Sequence, residues 1–296
     1  MPRCLFTAIL SLLAASAASA QTLEERILPI AKAHKGKIAV VVKSLMSDES
    51  YALSESDVMP TASLIKLPIM IETFRLAEEG KVKLDQVIAL KKEDQVPGAG
   101  VLTDSFTPGA TLTLLDAVRL MMTVSDNTAT NLVLDAITIP ATNATMKSLG
   151  FPETRINSKV YKGGATTVDP DRSKKYGLGS TTANEMAGIL ELLVGGKAVA
   201  PKACEEMLAI MKKNQDSELC LRYLPSGTVF AHKTGAVSAA RTDAGIVYLK
   251  GKPAFILVVL TNDNEDKRWV IDNESQLTLA KIGRAAYDHF APKPAK

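Results

Sequence analysis

The chain has 296 residues, 46% of them hydrophobic and 23% charged, with a formal net charge of +3. That length supplies one large or two interleaved domains with a substantial core, and the composition is that of a globular enzyme without repeats or low-complexity blocks. So small a charge, which falls by one if Arg3 is removed with a leader, gives no grounds for a nucleic-acid or anionic-membrane partner.

Residues 1–20 read as a secretory signal: Arg3 forms a short positive region, an apolar run follows, and Ala18-Ser19-Ala20 makes a small-residue cleavage site before Gln21. The run is too short to span a bilayer comfortably, and Cys4 has no apolar stretch ahead of it to mark lipid attachment. The expectation is a secreted or periplasmic chain with no stable membrane anchor after signal removal. Export leaves Cys204 and Cys220 where disulfides persist; a bridge and two separately buried thiols both fit.

The pattern over 23–35 predicts a helix, bent at Pro29 and stopped by Gly36. A β-branched run at 38–42 predicts a strand, with 51–53 as its hairpin partner. Ser63-Leu64-Ile65-Lys66 then heads an apolar helical run through Leu67, Ile69, Met70, Phe74 and Leu76, ending near Gly80. Residues 96–109 read as loop, and 112–122, 128–136 and 143–149 as helices. Residues 151–179 have weak periodicity and four glycines, a length of loop that is usually functional. Thr181-Thr182 caps a further helix, two short helices fall between 201 and 224, and strands follow at 228–234, 242–249 and 254–260. A last helix spans 268–290, before a Pro/Lys tail.

Strands first and last with helices between predict an α/β (α+β) fold. Both chain ends build an antiparallel sheet flanked by N- and C-terminal helices, and an all-helical second lobe is inserted. The expected division is 21–60 with 179–296 for the sheet lobe and 61–178 for the helical lobe, including the extended loop 151–178. The active site is expected in the cleft between them.

Three short motifs carry chemistry. A three-residue step puts Ser63 and Lys66 on one helical face, where an amine kept neutral by burial or by another cation can take the serine proton. Ser125-Asp126-Asn127 falls at a turn between two helices; Ser125 suits proton transfer to a leaving nitrogen and Asn127 an amide carbonyl, while the plain alternative is a helix cap. Lys233-Thr234-Gly235 ends a strand, where a cation and a hydroxyl suit a substrate carboxylate and the glycine admits a substrate backbone. Lys233 also supplies the charge that helps keep Lys66 neutral. Alternation turns His232 to the opposite face, packed or solvated and not catalytic. Arg241 fits either a further anion contact or a surface ion pair.

S-x-x-K, S-D-N and K-T-G in this order resemble the class A β-lactamases and penicillin-binding proteins. The likeness extends to Pro97-Gly98-Ala99-Gly100-Val101-Leu102, to Leu120-Met121-Met122-Thr123-Val124 leading into Ser125-Asp126-Asn127-Thr128-Ala129-Thr130-Asn131-Leu132, and to Thr181-Thr182. It covers nearly the whole of the expected mature chain and implies a β-lactamase/transpeptidase-like fold. The resemblance implies that Ser63 attacks a lactam carbonyl with Lys66 as proton acceptor, and that backbone N–H groups of Ser63 and Ala236 form the oxyanion hole. It also implies that Ser125 relays a proton to the ring nitrogen, Asn127 holds the acylamide, and Lys233, Thr234 and Arg241 bind the carboxylate.

The chain departs from the class A pattern in the loop before Thr181. The E-x-x-L-N glutamate that activates the deacylating water is missing, and no glutamate occurs between Glu153 and Glu185. Asp169, Asp171 and Tyr161 are the candidates for a water-activating group, with a loop aspartate paired to Arg172 as the structural alternative. The expected function is a class A-type β-lactam hydrolase, slow if its base is missing. The alternatives are a D-Ala-D-Ala-type peptidase or other amide hydrolase, and a penicillin-binding sensor that is acylated and stays so. With no G-x-S-x-G, H-E-x-x-H or Cys/His cluster, neither cofactor nor metal is expected. The expected partner is a β-lactam or cell-wall peptide-like small molecule, met by a monomer.

Overall fold

β-Branched runs from the two ends of the chain meet in one sheet. The computed structural model describes residues 21–291, so the expected leader, Cys4 and the tail lie outside the described residues. In chain order the strands are β1 (Lys37–Ser44), β2 (Ser50–Leu53), β3 (Met59–Pro60), β4 (Val87–Ala89), β5 (Thr111–Thr113), β6 (Arg155–Ile156), β7 (Gly179–Thr181), β8 (Val229–Val237), β9 (Ala240–Leu249) and β10 (Lys252–Asn262). The helices are α1 (Leu23–Lys32), α2 (Lys66–Glu78), α3 (Leu114–Thr123), α4 (Asn127–Ile137), α5 (Ile139–Ser148), α6 (Gly163–Thr166), α7 (Pro170–Tyr176), α8 (Ala183–Val194), α9 (Pro201–Met211) and α10 (Glu274–Phe290).

The main sheet is antiparallel in the order β2-β1-β10-β9-β8, which leaves β8 at an edge. Period-two alternation sorts its side chains. Val40, Val42, Phe255, Leu257 and Val259 pack with Ile27 of α1 and Leu279 and Ile282 of α10. Ala39, Val41, Ile256, Val258 and Leu260 face the other way and join the core shared with α2, α3, α4 and α8. Covering both faces makes β10 apolar nearly throughout, a continuous run where a half-exposed strand would alternate.

Helix α2 is buried from Lys66 through Phe74, and apolar contact on all sides makes it the axis of the helical region. The small sheet β3-β7-β6 ties the end of the 151–178 segment to the strand just before Ser63, through Met59 opposite Thr181 and Pro60 opposite Ser180. Fold class and sheet composition match the sequence reading.

Three local expectations change, and one open alternative closes. Helix α10 starts at Glu274, because Asn273 Oδ1 accepts from the N–H groups of Ser275 (3.0 Å) and Gln276 (3.3 Å) and so caps it there. Of the two short helices expected between 201 and 224 only α9 forms. The stretch beyond it is stitched by turns and by longer bonds, with Gln215 N–H donating to Thr123 O at 3.0 Å and Cys220 N–H to Asp243 Oδ2 at 3.0 Å. Residues 151–178 hold β6, α6 and α7, so the segment is ordered despite its weak periodicity. Cys204 and Cys220 are free thiols, each buried. Among the described residues no helix is long and apolar enough to cross a membrane, and no cluster of three His, Cys, Asp or Glu could hold a metal.

Candidate active site

Ser63 sits in a 3₁₀ turn (Ala62–Ile65) that runs directly into α2 at Lys66. The sequence reading put it in the α-helix itself. The tighter turn serves the same end better, because three residues per turn bring positions i and i+3 into line. The turn is set by Ala62, whose φ of 47° is a left-handed conformation that costs a non-glycine residue roughly 1–2 kcal/mol and needs surrounding structure to hold it. That structure is β8. A Cβ on Gly235 would fall 2.5 Å from Thr61 O and 2.9 Å from Leu64 N, so only glycine lets the strand close against the turn. The closeness expected between Gly235 and substrate is therefore taken up by the protein's own backbone.

Lys66 is wholly buried, and its Nζ lies 2.7 Å from Ser125 O, 3.1 Å from Ser125 Oγ and 3.0 Å from Asn127 Oδ1. Desolvation drives its pKa well below the ordinary lysine range, and the charge on Lys233 adds to that, against the pull of Asp126. A neutral amine has two N–H donors and one lone pair. The two carbonyl-type oxygens can only accept, so they take the N–H groups and the lone pair is left facing hydroxyls. Ser125 Oγ is one such hydroxyl, and it also accepts from Lys233 Nζ at 3.1 Å. Lysine, hydroxyl and lysine form one chain. Among the described residues no hydrogen bond joins Ser63 Oγ to Lys66; Ser63 is half-buried and lines the open cleft.

Ser125 is itself held at φ 57°, in the turn where α3 ends and α4 begins. The helix-cap reading of S-D-N holds here. Asp126 caps α4, its Oδ1 accepting from Ala129 N–H at 2.8 Å, while Oδ2 accepts from Val101 (2.7 Å) and Leu102 (2.9 Å). That grip explains Gly100, where a Cβ would fall 2.3 Å from the Asp126 carboxylate. The Asn127 amide donates to Pro97 O at 3.0 Å and accepts from Lys66, which fixes its orientation.

The edge position of β8 supplies the third motif. Arg241, opposite Ala236, donates its N–H to Thr261 Oγ1 at 3.1 Å and accepts from the same hydroxyl at 2.9 Å, so its peptide groups point to β10. Ala236 with Arg241 is then a non-hydrogen-bonded pair, and the Ala236 N–H points out from the free edge of the sheet. The same parity turns out Thr234 O, which accepts from Lys233 Nζ at 2.7 Å, and His232 O, which accepts from Asn214 at 3.1 Å. Ala236 N–H and the Ser63 turn thus border one cleft. Lys233 is buried and pushed down to about 8 by desolvation, with Asp216 and Asp243 opposing.

The cleft has a volume of about 550 Å³ and runs from Ser63, Asn127 and Ala236 to a second wall made by residues 158–178. Tyr161 lies on that wall, exposed, at φ 55°, with its ring against Gly98 beside the Asn127 amide. Asn131, one turn after Asn127 on α4, donates to Val160 O (3.0 Å) and accepts from Val160 N–H (2.9 Å). Val160 lines the cleft, and among the described residues lining it there is no aspartate or glutamate.

Three candidates leave the site, and Asp171, exposed on α7, is one that does not line the cleft. Asp169 caps α7, accepting from Arg172 N–H at 3.0 Å and facing Arg155 at 3.8 Å, and it does not line the cleft. Arg241 is buried, and its guanidinium donates to the carbonyls of Val237, Ala240 (2.9 Å) and Arg268 (3.3 Å) beneath the Trp269 ring at 4.7 Å. Backbone carbonyls of the β8–β9 hairpin and of the loop after β10 take the bonds from its two terminal nitrogens. His232 is packed, as expected, stacked on Phe230 and bonded to Asp243 at 2.8 Å. The sequence reading missed Asn131 and Val160 as a pair; the only signal was an asparagine four residues past Asn127, on the same helical face.

The family described as "Beta-lactamase enzyme family" matches residues 22–290. Beta-lactamase CARB-3 of Pseudomonas aeruginosa is 26% identical over 286 residues, covering 95% of this chain and 94% of that one. Beta-lactamase BRO-1 of Moraxella catarrhalis is 24% identical over 237 residues, 78% of this chain and 73% of that one. Among solved structures, a β-lactamase from Sphaerobacter thermophilus superposes with a TM-score of 0.78 at 27% identity, over 90% of this chain and 97% of that one. PBP-A has the same fold, with a TM-score of 0.77 at 24% identity over 90% and 95% of the two chains.

Proposed function

Because the chain belongs to the beta-lactamase enzyme family, we propose that it is a serine hydrolase that opens the β-lactam ring through an acyl-enzyme on Ser63. The observation that carries this is the buried Lys66 amine, shared between Ser125 and Asn127 at 2.7–3.1 Å and kept short of charge by burial and Lys233. In this reading Ser63 Oγ attacks the lactam carbonyl carbon and its proton passes to the Lys66 lone pair. The carbonyl oxygen takes up negative charge between the N–H groups of Ser63 and Ala236, an arrangement worth roughly 3 kcal/mol per donor. The C–N bond then breaks, and the proton travels from Lys66 through Ser125 Oγ to the ring nitrogen. Lys233, with the Thr234 hydroxyl, holds the substrate carboxylate at the sheet edge.

Release of the ester needs a base for water. Among the described residues lining the cleft the ionisable side chains are Tyr161, Tyr176, Lys159 and Lys175, and a phenol or an exposed ammonium is a poor base near neutrality. That favours a long-lived acyl-enzyme over fast turnover, which is the slow-hydrolase reading and shades into the sensor reading.

Intact mass followed over time after mixing with benzylpenicillin tests both steps. The expected record is an adduct of one whole penicillin that persists after free drug is removed and then decays slowly, with none on Ser63→Ala. An adduct on Ser63→Ala would show that the nucleophile lies elsewhere. The absence of both an adduct and any consumption of penicillin by the native chain overturns the reading in favour of a peptide or other amide substrate.

A further inference from the structure

The second wall of the cleft is unbalanced in charge, and the imbalance has an address. Residues 151–178 carry six cations, and four of them are already paired with oxygen. Arg155 faces Asp169 at 3.8 Å, Arg172 binds Glu153 at 2.8 Å, Lys159 is paired with Asp135, and Lys162 donates to Glu93 O at 2.7 Å. Lys174 and Lys175 have no such partner among the described residues, and of the two only Lys175 lines the cleft. It stands exposed on the last turn of α7, its Nζ 5.0 Å from the centre of the Tyr176 ring. No carboxylate lines the same space to neutralise it.

The place matters as much as the charge. Asn127, on the proposed reading, holds the acylamide of the substrate, so the acyl arm leaves that amide toward the wall that Tyr161 and Lys175 share. The ring carboxylate goes the other way, to Lys233 at the sheet edge. A substrate with a second anionic group on its acyl arm meets Lys175, while one with a neutral arm leaves it in water.

We propose that Lys175 is a specificity-determining residue that favours substrates carrying a carboxylate on the acyl arm. The inference rests on the acyl-enzyme reading above. An exposed ion pair of this kind changes a rate by about two- to fivefold, and reversing the charge turns attraction into repulsion for a total of about tenfold.

The test uses two penicillins that differ only by a carboxylate on the α-carbon of the same aryl acyl arm, with second-order acylation constants taken from the growth of the mass adduct. The native chain should favour the anionic-arm compound, and the ratio should shrink as salt is raised. Lys175→Ala should lower the ratio about two- to fivefold, Lys175→Glu about tenfold, and Lys175→Arg should keep it. The neutral-arm constant should stay the same throughout, which shows that the variants fold and that long-range attraction for the common ring carboxylate is unaltered. Normal acylation with a ratio unmoved by Lys175→Glu overturns this proposal alone. Failure of the native chain to be acylated by either compound overturns the acyl-enzyme reading, and this proposal with it.

Discussion

The two walls of the cleft are held by different means. The wall with Ser63, Lys66, Ser125 and Lys233 is held by packing: α2 is buried from Lys66 through Phe74, Gly235 sits against the Ser63 turn, and the two lysines are sealed in. The wall from residues 151–178 is held by side-chain amides that grip backbone. Asn131 brackets Val160 by its N–H and C=O, Asn143 brackets Ile156 in the same way at 2.8 and 2.9 Å, and Asn157 donates to Gly177 O at 3.0 Å. A packed wall fixes side chains, whereas a wall gripped by its peptide groups fixes only the path of the chain. The first can therefore change little without loss of the bond-making groups. The second can accept a different side chain at a position such as Val160 and keep its path. On the proposed reading, bond formation belongs to the first wall and release to the second.

The contrast breaks most visibly at Lys66. Lys66→Met, which keeps the bulk of the stem, removes the proton acceptor and should slow acylation by about 10²–10⁴. The check is the second-order labelling rate, with a thermal melt to show that the variant folds. A labelling rate within tenfold of native would mean that another group takes the Ser63 proton.

The converse change, on the other wall, should be a gain. Val160→Glu adds a carboxylate at a cleft-lining position whose backbone Asn131 already holds, so the path of the segment should not alter. Decay of the penicillin adduct should quicken about a hundredfold while its formation stays the same. An unchanged lifetime would show that the ester lies out of reach of this wall.

What was legible in the sequence follows the same division. Ser63, Lys66, Ser125, Asn127 and Lys233 were readable because each chemical task demands a particular side chain at a fixed step along a helix or strand. The sheet was readable because β1 and β10, and β9 from Ala244 onward, are apolar runs rich in β-branched residues. The second wall was not. Its contacts run to backbone N–H and C=O groups, which every residue has, so the grip of Asn131 leaves no trace in the residue type at Val160. Arg241 was ambiguous for a related reason: a guanidinium suits a carboxylate and a set of hairpin carbonyls equally well, and only the fold says which is nearer.

The pH dependence of acylation separates the two lysines of the packed wall. Lys66 works as a base when neutral, so lowering the pH through its depressed pKa protonates it and the rate falls; that limb lies well below the ordinary lysine range. Lys233 works as a cation, so raising the pH through about 8 discharges it and weakens the hold on the substrate carboxylate. The rate should therefore fall up to about tenfold per pH unit on the alkaline side. Lys233→Arg should move that limb upward, because a guanidinium stays charged. A penicillin methyl ester, with no carboxylate to bind, should lack it.

The smallest effect belongs to Asp169, the candidate that the fold took away from the site. Its carboxylate caps α7 and faces Arg155 instead of the cleft. Asp169→Ala should thus cost about 1 kcal/mol of stability, the ordinary worth of an N-cap, and a small drop in melting temperature should report it. Adduct lifetime should not change, whereas loss of a water-activating base would lengthen it by about a hundredfold or more. If Asp169→Ala does prolong the adduct, the second wall moves when substrate binds, and amide grips on its backbone do not fix its path as tightly as the structure implies.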